Sequence, residues 1–438
     1  MKRMDFSYNN SMVSAKELLD CKKALMSEIK QMQKVSDLGY DDDRASINLP
    51  IDKEIKNLVN KLVLEKLKLN PKYIVVVGIG GSNLGTIAIQ ESVFGKLHNQ
   101  LKANVKILYV DTVDSDLVNS VMNILEPVLK SGGNIILNGV SKSGGTTETI
   151  ANFEILVNLL KKYKKNYEQY VVITTGKNSK FWNLADEKGF SVLQIPKKVG
   201  GRYSVFSPVG LFPLGMIGIN INKLLKGAEE ARRIGLNSFM KNQSAISAAI
   251  IYSQFIKGKS IVDTFLFGTD FESLGKWYRQ LMGESIGKEK DRKGKKVNLG
   301  ITPTVSIGST DLHSVAQLYL GGPKDKFTVF VSTRKDKNKI NIPTMKEYSK
   351  LVDHIQGKSL KNIMDAIIGG TKRAYAKARL PFVDVILPDK CEQSIGQFLQ
   401  FKMMEMMYLG VLLGVNPFDQ PNVELYKIET KKLLAVKK

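Results

Sequence analysis

The residues best suited to chemistry lie in a turn rich in serine, threonine and lysine, Val140–Thr149, with the sequence VSKSGGTTET. Its hydroxyls, the Lys142 ammonium and its flexible glycines lie between a predicted strand and a predicted helix, whose first N–H groups are also available. Together they suit the oxygens of a phosphate monoester. A Walker loop is excluded, because no G-x-x-x-x-G-K-[ST] pattern occurs here or at Gly283–Lys288. Helix capping by Ser143 or Thr146 is the structural alternative, and it is compatible with phosphate binding because both use the same helix end.

A second turn, Val77–Gly85, has the sequence VGIGGSNLG and again joins a strand to a helix. Glycines let the backbone approach a ligand, and a helix N-terminus presents N–H groups to an anion. A dinucleotide-binding turn is the rival interpretation, but its fingerprint needs glycine where Asn83 stands. Asp111, at the end of the next strand, could still bind a ribose, so the rival is weakened and not removed. A tight turn without a ligand also remains open.

Two other segments carry candidate charged groups. Arg202, within Val199–Gly210, follows a Gly-Gly turn and could hold negative charge or be a structural arginine. Gln280 and Glu284 are four residues apart and should share one face at the end of a helix. A lone carboxylate there is usually solvated, so the pair alone is weak evidence for a site.

The last polar segment, Gly414–Lys427, follows a long apolar helix and contains rigid Asn-Pro and Gln-Pro steps. Plain capping of that helix is the structural alternative, but the segment is rich in polar groups for a simple turn: Asp419, Gln420, Glu424 and Lys427. The chain has three widely separated histidines: His98, His313 and His354. No paired histidine spacing occurs, so we expect no metal site.

Composition limits the class of protein. The 438 residues are enough for two domains, and 43% hydrophobic with 24% charged residues is ordinary for a soluble protein. The longest apolar runs are too short to span a membrane, and the first residues lack the apolar core of a signal peptide. Two cysteines, Cys21 and Cys391, provide neither a disulfide framework nor a metal-binding spacing. We therefore expect a cytoplasmic protein without membrane contact.

The formal net charge of +23 has two interpretations. A basic surface can indicate nucleic-acid binding. Here the charge is mostly lysine spread along the whole chain, and the one dense stretch, Gly287–Lys296, lacks interleaved aromatic residues for base stacking. Lysine-rich composition and surface solvation, with a benefit for anionic substrates, is the favoured interpretation, and no nucleic-acid partner is expected.

The elements that must position these groups alternate along the chain. Runs of β-branched residues predict strands at Tyr73–Val77, Val105–Val110, Asn134–Val140 and Tyr170–Thr174. Helical spacing predicts helices between them at Leu84–Phe94, Leu117–Leu125 and Thr147–Lys164. The pattern restarts after about residue 220, and the chain ends in an apolar helix, Ser394–Leu413, and a basic helix. The alternation predicts an α/β fold of two domains, each a mainly parallel sheet layered between helices, with helical N- and C-terminal segments.

Taken in order, these segments resemble the glucose-6-phosphate isomerase family. The shared motifs are Gly-Ile-Gly-Gly-Ser at 78–82, Ser-Lys-Ser at 141–143, Thr-x-Glu-Thr at 146–149, Gly-Gly-Arg-Tyr-Ser-Val at 200–205, Gln280-x-x-x-Glu284-Ser, His313-Ser-x-x-Gln317 and Asn416-Pro-Phe-Asp-Gln-Pro421. The resemblance implies two sugar-isomerase (SIS) domains with a site between them. It assigns residues 56–220 to the first domain, 221–390 to the second, and 1–55 and 391–438 to helical segments.

The resemblance also implies individual roles. The residues that match the phosphate-binding loop are Ser141, Lys142, Ser143 and Thr146, and those beside the sugar phosphate are Gly81 and Ser82. The residues that match groups acting on the reacting carbons and the ring are Arg202, Glu284, His313 and Lys427. Glu284 would be the base, Arg202 would lie near the reacting carbons, and His313 and Lys427 would open the ring. Two further positions match substrate-contacting glutamines: Gln280 and Gln420.

The implied activity is the interconversion of glucose 6-phosphate and fructose 6-phosphate through a cis-enediolate, a glycolytic and gluconeogenic step, without a cofactor. A homodimer is also implied, with His313 contributed across the interface. Mannose-6-phosphate isomerisation and a non-catalytic phosphosugar-sensing module are the alternatives. Two positions depart from the family pattern: Gly145, where many relatives carry threonine, and Ile286, where relatives often carry asparagine or an acidic residue.

Overall fold

The computed structural model describes residues 3–436, which form two compact units. One unit comprises Glu28–Leu236, and the other comprises the segments before and after it. The four-part division implied by the family resemblance remains a prediction.

In chain order the strands are β1 (Asp5–Ser7), β2 (Pro71–Val77), β3 (Lys106–Val110), β4 (Asn134–Ser141), β5 (Val171–Gly176), β6 (Ser191–Ile195), β7 (Ile261–Phe267), β8 (Lys288–Lys290), β9 (Lys296–Leu299), β10 (Thr302–Gly308), β11 (Lys326–Thr333) and β12 (Phe382–Leu387). The α-helices are α1 (Ala15–Val35), α2 (Lys53–Leu67), α3 (Leu84–Phe94), α4 (Ser115–Lys130), α5 (Thr147–Tyr163), α6 (Lys180–Lys188), α7 (Pro208–Met216), α8 (Ile221–Gly235), α9 (Gln243–Ile256), α10 (Glu272–Ile286), α11 (Ala316–Gly321), α12 (Leu360–Lys377), α13 (Glu392–Leu412) and α14 (Val423–Ala435).

The unit Glu28–Leu236 is built on a parallel sheet with strand order β3-β2-β4-β5-β6. The apolar run Ile74–Val77 in β2 is fully buried, as expected for a parallel strand covered by helices on both faces. The glycine turn therefore follows the carboxyl end of β2, and the phosphate-type turn follows the carboxyl end of the neighbouring strand β4. Ligands of open α/β sheets bind at this edge.

The other unit contains a sheet with strand order β1-β12-β11-β7-β10, in which only the edge strand β1 is antiparallel. Strands β8 and β9 form a separate antiparallel hairpin between α10 and β10. Helix α13 is buried over the whole stretch Ser394–Gly410 and packs against α9 and α10, so it forms the centre of this unit.

The predicted α/β fold with mainly parallel sheets layered between helices is confirmed. The predicted helix Leu84–Phe94 has the observed bounds of α3, and the predicted strands lie within three residues of the observed ones. The sequence patterns do not predict strands β1, β6, β8, β9, β10 and β12 or helices α2, α6, α7, α11 and α12. A search of the described helices for one long and apolar enough to cross a membrane finds none.

Candidate active-site residues

The turn between β4 and α5 is held in one conformation by its own hydrogen bonds. The Thr175 hydroxyl donates to the carbonyl of Ser141 (2.6 Å), and the Gly176 N–H donates to the carbonyl of Lys142 (3.2 Å). Gly144 has φ +69°, and a Cβ there would lie 2.6 Å from the Ser179 hydroxyl, so glycine is required at this position. The turn is thus rigid before any ligand binds.

The hydroxyls of this turn are not used to cap helix α5. Thr146 occupies the N-cap position, but its side chain makes no capping hydrogen bond. Its hydroxyl oxygen instead lies 2.9 Å from that of Ser141, and the Ser143 hydroxyl accepts a 3.4 Å bond from the Gly145 N–H. The capping interpretation therefore does not account for Thr146. The hydroxyls cluster at the start of a 17-residue helix, where an anion is favoured.

Lys142 is exposed at the same turn, so its ammonium can reach a ligand. Loss of solvation lowers the pKa of Lys142, with the Asp43 carboxylate opposing this shift and the Lys198 ammonium adding to it. Lys198 itself is paired with Asp43 at 2.9 Å. The turn therefore combines one accessible cation with three hydroxyls.

The glycine turn after β2 packs against the turn that carries Arg202. A Cβ at Gly81 would lie 2.3 Å from the carbonyl carbon of Gly201 and 2.7 Å from the backbone nitrogen of Arg202. The Ser204 hydroxyl lies within hydrogen-bond distance of both Gly201 O (2.7 Å) and Gly81 O (3.3 Å). Backbone contact at this distance is possible only because position 81 has no side chain.

Arg202 lies beside this contact and is only 1% exposed. Its guanidinium carbon is 5.3 Å from the centre of the Tyr203 ring, a favourable cation–π distance. A guanidinium stays charged when buried, so it provides a fixed positive charge next to the glycine turn. Gly81, Ser82 and Arg202 are thus neighbours, although 120 residues separate the two turns in sequence.

In the other unit, Glu284 lies in the last turn of α10. The Gln280 amide donates to Glu284 Oε1 at 3.0 Å, which confirms that the two side chains share a helix face. Both side chains are half-buried, unlike the solvated carboxylate that the sequence alone favours. The hydrogen bond fixes the orientation of the carboxylate.

His313 follows the carboxyl end of β10, after a 3-10 turn at Thr310–Leu312, and its side chain is exposed. Asp311 fixes this loop by accepting hydrogen bonds from the Ile307 N–H (2.6 Å) and the Ser314 hydroxyl (2.7 Å). These hydrogen bonds hold the loop in one conformation, in which the His313 side chain is exposed to solvent.

Glu284 and His313 lie at opposite ends of strand β10. Gly283, next to Glu284, approaches Pro303 near the start of the strand, whereas the His313 loop is bonded to Ile307 near its end. Pro303 and Ile307 are four residues apart along the strand, which corresponds to about 13 Å. The segments that carry these two predicted catalytic side chains thus meet the strand at different points along its length.

Gln420 and Lys427 belong to the C-terminal segment. Gln420 is exposed in the loop before α14, and Lys427 lies in α14, where its ammonium donates to Glu424 at 2.7 Å. Every residue of α14 is at least partly exposed. The loop before α14 is bonded to Lys288, a residue that the sequence did not single out. Its position four residues after Glu284 is the signal that could have identified it.

A search of residues 3–436 for groups of three or more His, Cys, Asp or Glu side chains able to hold a metal ion finds none.

The family model described as phosphoglucose isomerase matches residues 68–437. The chain belongs to the phosphoglucose isomerase family. A glucose-6-phosphate isomerase of Carboxydothermus hydrogenoformans is 35% identical over 372 residues, which cover 83% of this chain and 79% of that protein. The resemblance inferred from the motifs is therefore confirmed, and the dinucleotide-binding interpretation of the glycine turn is not supported.

Solved structures have the same fold. A hypothetical protein from Thermus thermophilus is 27% identical with a TM-score of 0.87, over 99% of this chain and 100% of that chain. A glucose-6-phosphate isomerase from Chlamydia trachomatis is 20% identical with a TM-score of 0.83, over 98% of this chain and 88% of that chain. At 20% identity, the likeness to the Chlamydia trachomatis structure shows only that the fold is shared.

Proposed function

We propose that this protein interconverts glucose 6-phosphate and fructose 6-phosphate, with Glu284 carrying the proton between C2 and C1. Membership of the phosphoglucose isomerase family across residues 68–437 is the observation that carries the proposal. The relative from Carboxydothermus hydrogenoformans bears the name of this activity.

The phosphate would bind at the turn between β4 and α5. The hydroxyls of Ser141, Ser143 and Thr146 and the ammonium of Lys142 provide donors of the kind that a phosphate dianion needs, at a helix start whose dipole favours negative charge. Gly81 and Ser82 would lie beside the sugar phosphate. Binding energy from this group, remote from the reacting carbons, can position C1 and C2 for reaction.

Isomerisation would then need one base. In the open-chain sugar, the Glu284 carboxylate removes the proton from C2, the C1–C2 double bond forms, and the oxygen at C1 takes the negative charge, which gives the cis-enediolate. A proton then passes from the oxygen at C2 to the oxygen at C1, Glu284 returns its proton to C1, and the oxygen at C2 becomes the carbonyl. General acid–base catalysis of this type contributes about 10²–10⁴-fold. Gln280 orients the carboxylate, and Arg202 would stabilise the negative charge of the enediolate.

Ring opening precedes this step. The ring oxygen must gain a proton as its bond to C1 breaks, and the hydroxyl at C1 must lose one. We assign these proton transfers to His313 and Lys427, the two further cationic or titratable groups at matching family positions. Gln420 would contact the substrate near Lys427.

The positions of Glu284 and His313 support a homodimer as the active form. The segments of one chain that carry them meet strand β10 about 13 Å apart, so a second chain that contributes its own His313 would bring the two side chains to one sugar. Exposed His313, on its rigid loop, is suited to reach the site of a partner subunit. We also propose a cytoplasmic location, which accords with two free thiols at Cys21 and Cys391.

The test of this function is a coupled assay that follows glucose 6-phosphate formed from fructose 6-phosphate. Glu284→Gln keeps the side-chain size and is expected to lower kcat by about 10²–10⁴-fold with little change in KM, because the phosphate-binding turn is untouched. Glu272→Gln, in the first turn of the same helix, is the matched control and should keep the wild-type rate. A wild-type rate for Glu284→Gln would refute the assignment of the base.

A further inference from the structure

The hairpin of β8 and β9 contains a buried lysine within its basic sequence. Lys288 is 6% exposed, whereas Lys290 on the same strand is exposed. The Lys288 ammonium donates to the backbone carbonyl of Glu284 at 2.9 Å and to the backbone carbonyl of Asp419. It also forms an ion pair with the Asp419 carboxylate at 3.0 Å. One ammonium thus joins the end of the helix of Glu284 to the C-terminal loop.

These contacts satisfy two physical requirements, one of the helix end and one of the buried ammonium. The carbonyls of the last turn of α10 lack partners within the helix, and a cation there also complements the helix dipole. An ammonium removed from water must in turn be paired and hydrogen-bonded, which Asp419 provides. Because both requirements meet on Lys288, its loss would remove the hydrogen bonds and the ion pair that join the two segments.

Neighbouring residues of the hairpin hold the same C-terminal segment. Arg292 donates from its backbone to the carbonyl of Gly414 and from its side chain to the carbonyl of Val415, each at 2.9 Å. The Asn422 amide donates to the Glu289 carboxylate at 3.0 Å. The hairpin therefore contacts the segment 414–422 along its length, directly before α14.

We propose that Lys288 is a positioning residue that holds the segment of Gln420 and Lys427 at the end of the helix of Glu284, and that ring opening depends on it. The proposal rests on the proposed function, in which Lys427 assists at the ring oxygen. Lys288 itself does not touch the sugar. The basic stretch Gly287–Lys296 thereby has a structural role within the protein, since two of its cations, Lys288 and Arg292, form hydrogen bonds to the chain itself.

Ring opening can be measured without isomerisation. Opening transfers a proton to the ring oxygen, takes one from the C1 hydroxyl and breaks the bond between C1 and the ring oxygen. Closure on the other face of the carbonyl reverses these changes and gives the other anomer, with no C–H bond broken. In a Glu284→Gln background isomerisation is suppressed, and the exchange of the α and β anomers of glucose 6-phosphate reports ring opening alone.

The experiment compares anomer exchange by two-dimensional NMR in Glu284→Gln and in the double variant with Lys288→Met. Rates are taken per folded protein, with folding measured by circular dichroism at the assay temperature and intact phosphate sites counted by titration with inorganic phosphate. A displacement of Lys427 by about 1 Å should lower exchange by about 10–100-fold. Lys290→Met in the same background removes an equal charge from the exposed face and should leave exchange unchanged.

Unchanged exchange per folded protein in the Lys288 variant overturns the proposal, because a merely structural role lowers only the folded fraction. Should Lys288→Met not melt cooperatively, Asp419→Asn takes its place, since it removes the ion pair and leaves the bond from Lys288 to the Glu284 carbonyl. We expect a smaller decrease in the rate of anomer exchange in this variant, and an unchanged rate would again overturn the proposal. Wild-type protein that fails to isomerise either hexose phosphate would refute the proposed function instead.

Discussion

Gly81→Ala is expected to force apart the two turns that bring Ser82 and Arg202 together. The new Cβ would lie 2.3 Å from the carbonyl carbon and 2.5 Å from the carbonyl oxygen of Gly201. Both are backbone atoms, which cannot rotate away as a side chain does. Restoring ordinary contact needs a shift of about 1 Å, and a misplacement of catalytic groups by that distance costs about 10²-fold in rate. That factor corresponds to about 2.7 kcal/mol of transition-state stabilisation, while the overpacking itself should cost about 1–3 kcal/mol of stability.

The assay measures kcat/KM for fructose 6-phosphate and the melting temperature of the purified variant. Gly145→Ala is the matched control, because a Cβ at Gly145 meets no atom within 4 Å. It adds the same methyl group to a substrate-binding turn of the same unit without a clash, so its kcat/KM should stay close to that of the wild type. A wild-type kcat/KM for Gly81→Ala, or equal losses in both variants, would show that activity does not depend on the close backbone contact at Gly81.

Two further outcomes are expected. Glu284→Gln and His313→Ala, each inactive alone, should recover about one quarter of the wild-type activity when they are co-expressed. Half of the dimers are then mixed, and each mixed dimer has one intact site out of two. No recovery of activity would contradict a site shared between the subunits. Lys402→Met should lower the free energy of unfolding in urea by about 3–5 kcal/mol, because it leaves the fully buried Glu405, 2.9 Å away, without its cation. Lys23→Met, at an exposed ion pair, should change stability by less than about 0.5 kcal/mol, and an equal effect of the two lysine variants would contradict the account of the buried pair.

The elements with strong local patterns could be predicted from the sequence. The buried strand β2 is a continuous apolar run, and α3 follows a glycine turn, so both were located within two residues. Strand β1 has three residues and pairs with β12, nearly 380 residues later, and no local pattern reports such a pairing. Strand β12 does carry a local signal, the run Phe382–Leu387, which is rich in apolar and β-branched residues.

The phosphate-type turn was predictable because its donors are close together in sequence. The role of Lys288 was not, because its burial depends on Asp419, 131 residues away, while its sequence neighbours are solvated lysines. The separation of Glu284 and His313 likewise depends on the direction of β10, a strand that was not predicted. Functional groups that lie close together in sequence can thus be predicted from it. The distances between groups that are far apart in sequence are known only from the folded structure.

The role of Glu284 as the base is tested most directly by deuterium incorporation during isomerisation in D₂O, followed by NMR at C2 of glucose 6-phosphate and C1 of fructose 6-phosphate. A carboxylate that carries the proton between the two carbons exchanges part of it with solvent, so the wild type should introduce deuterium at both positions. Glu284→Gln should introduce none on the same timescale, although it still binds the sugar phosphate. Deuterium incorporation at the wild-type rate in Glu284→Gln would contradict the claim that Glu284 is the base.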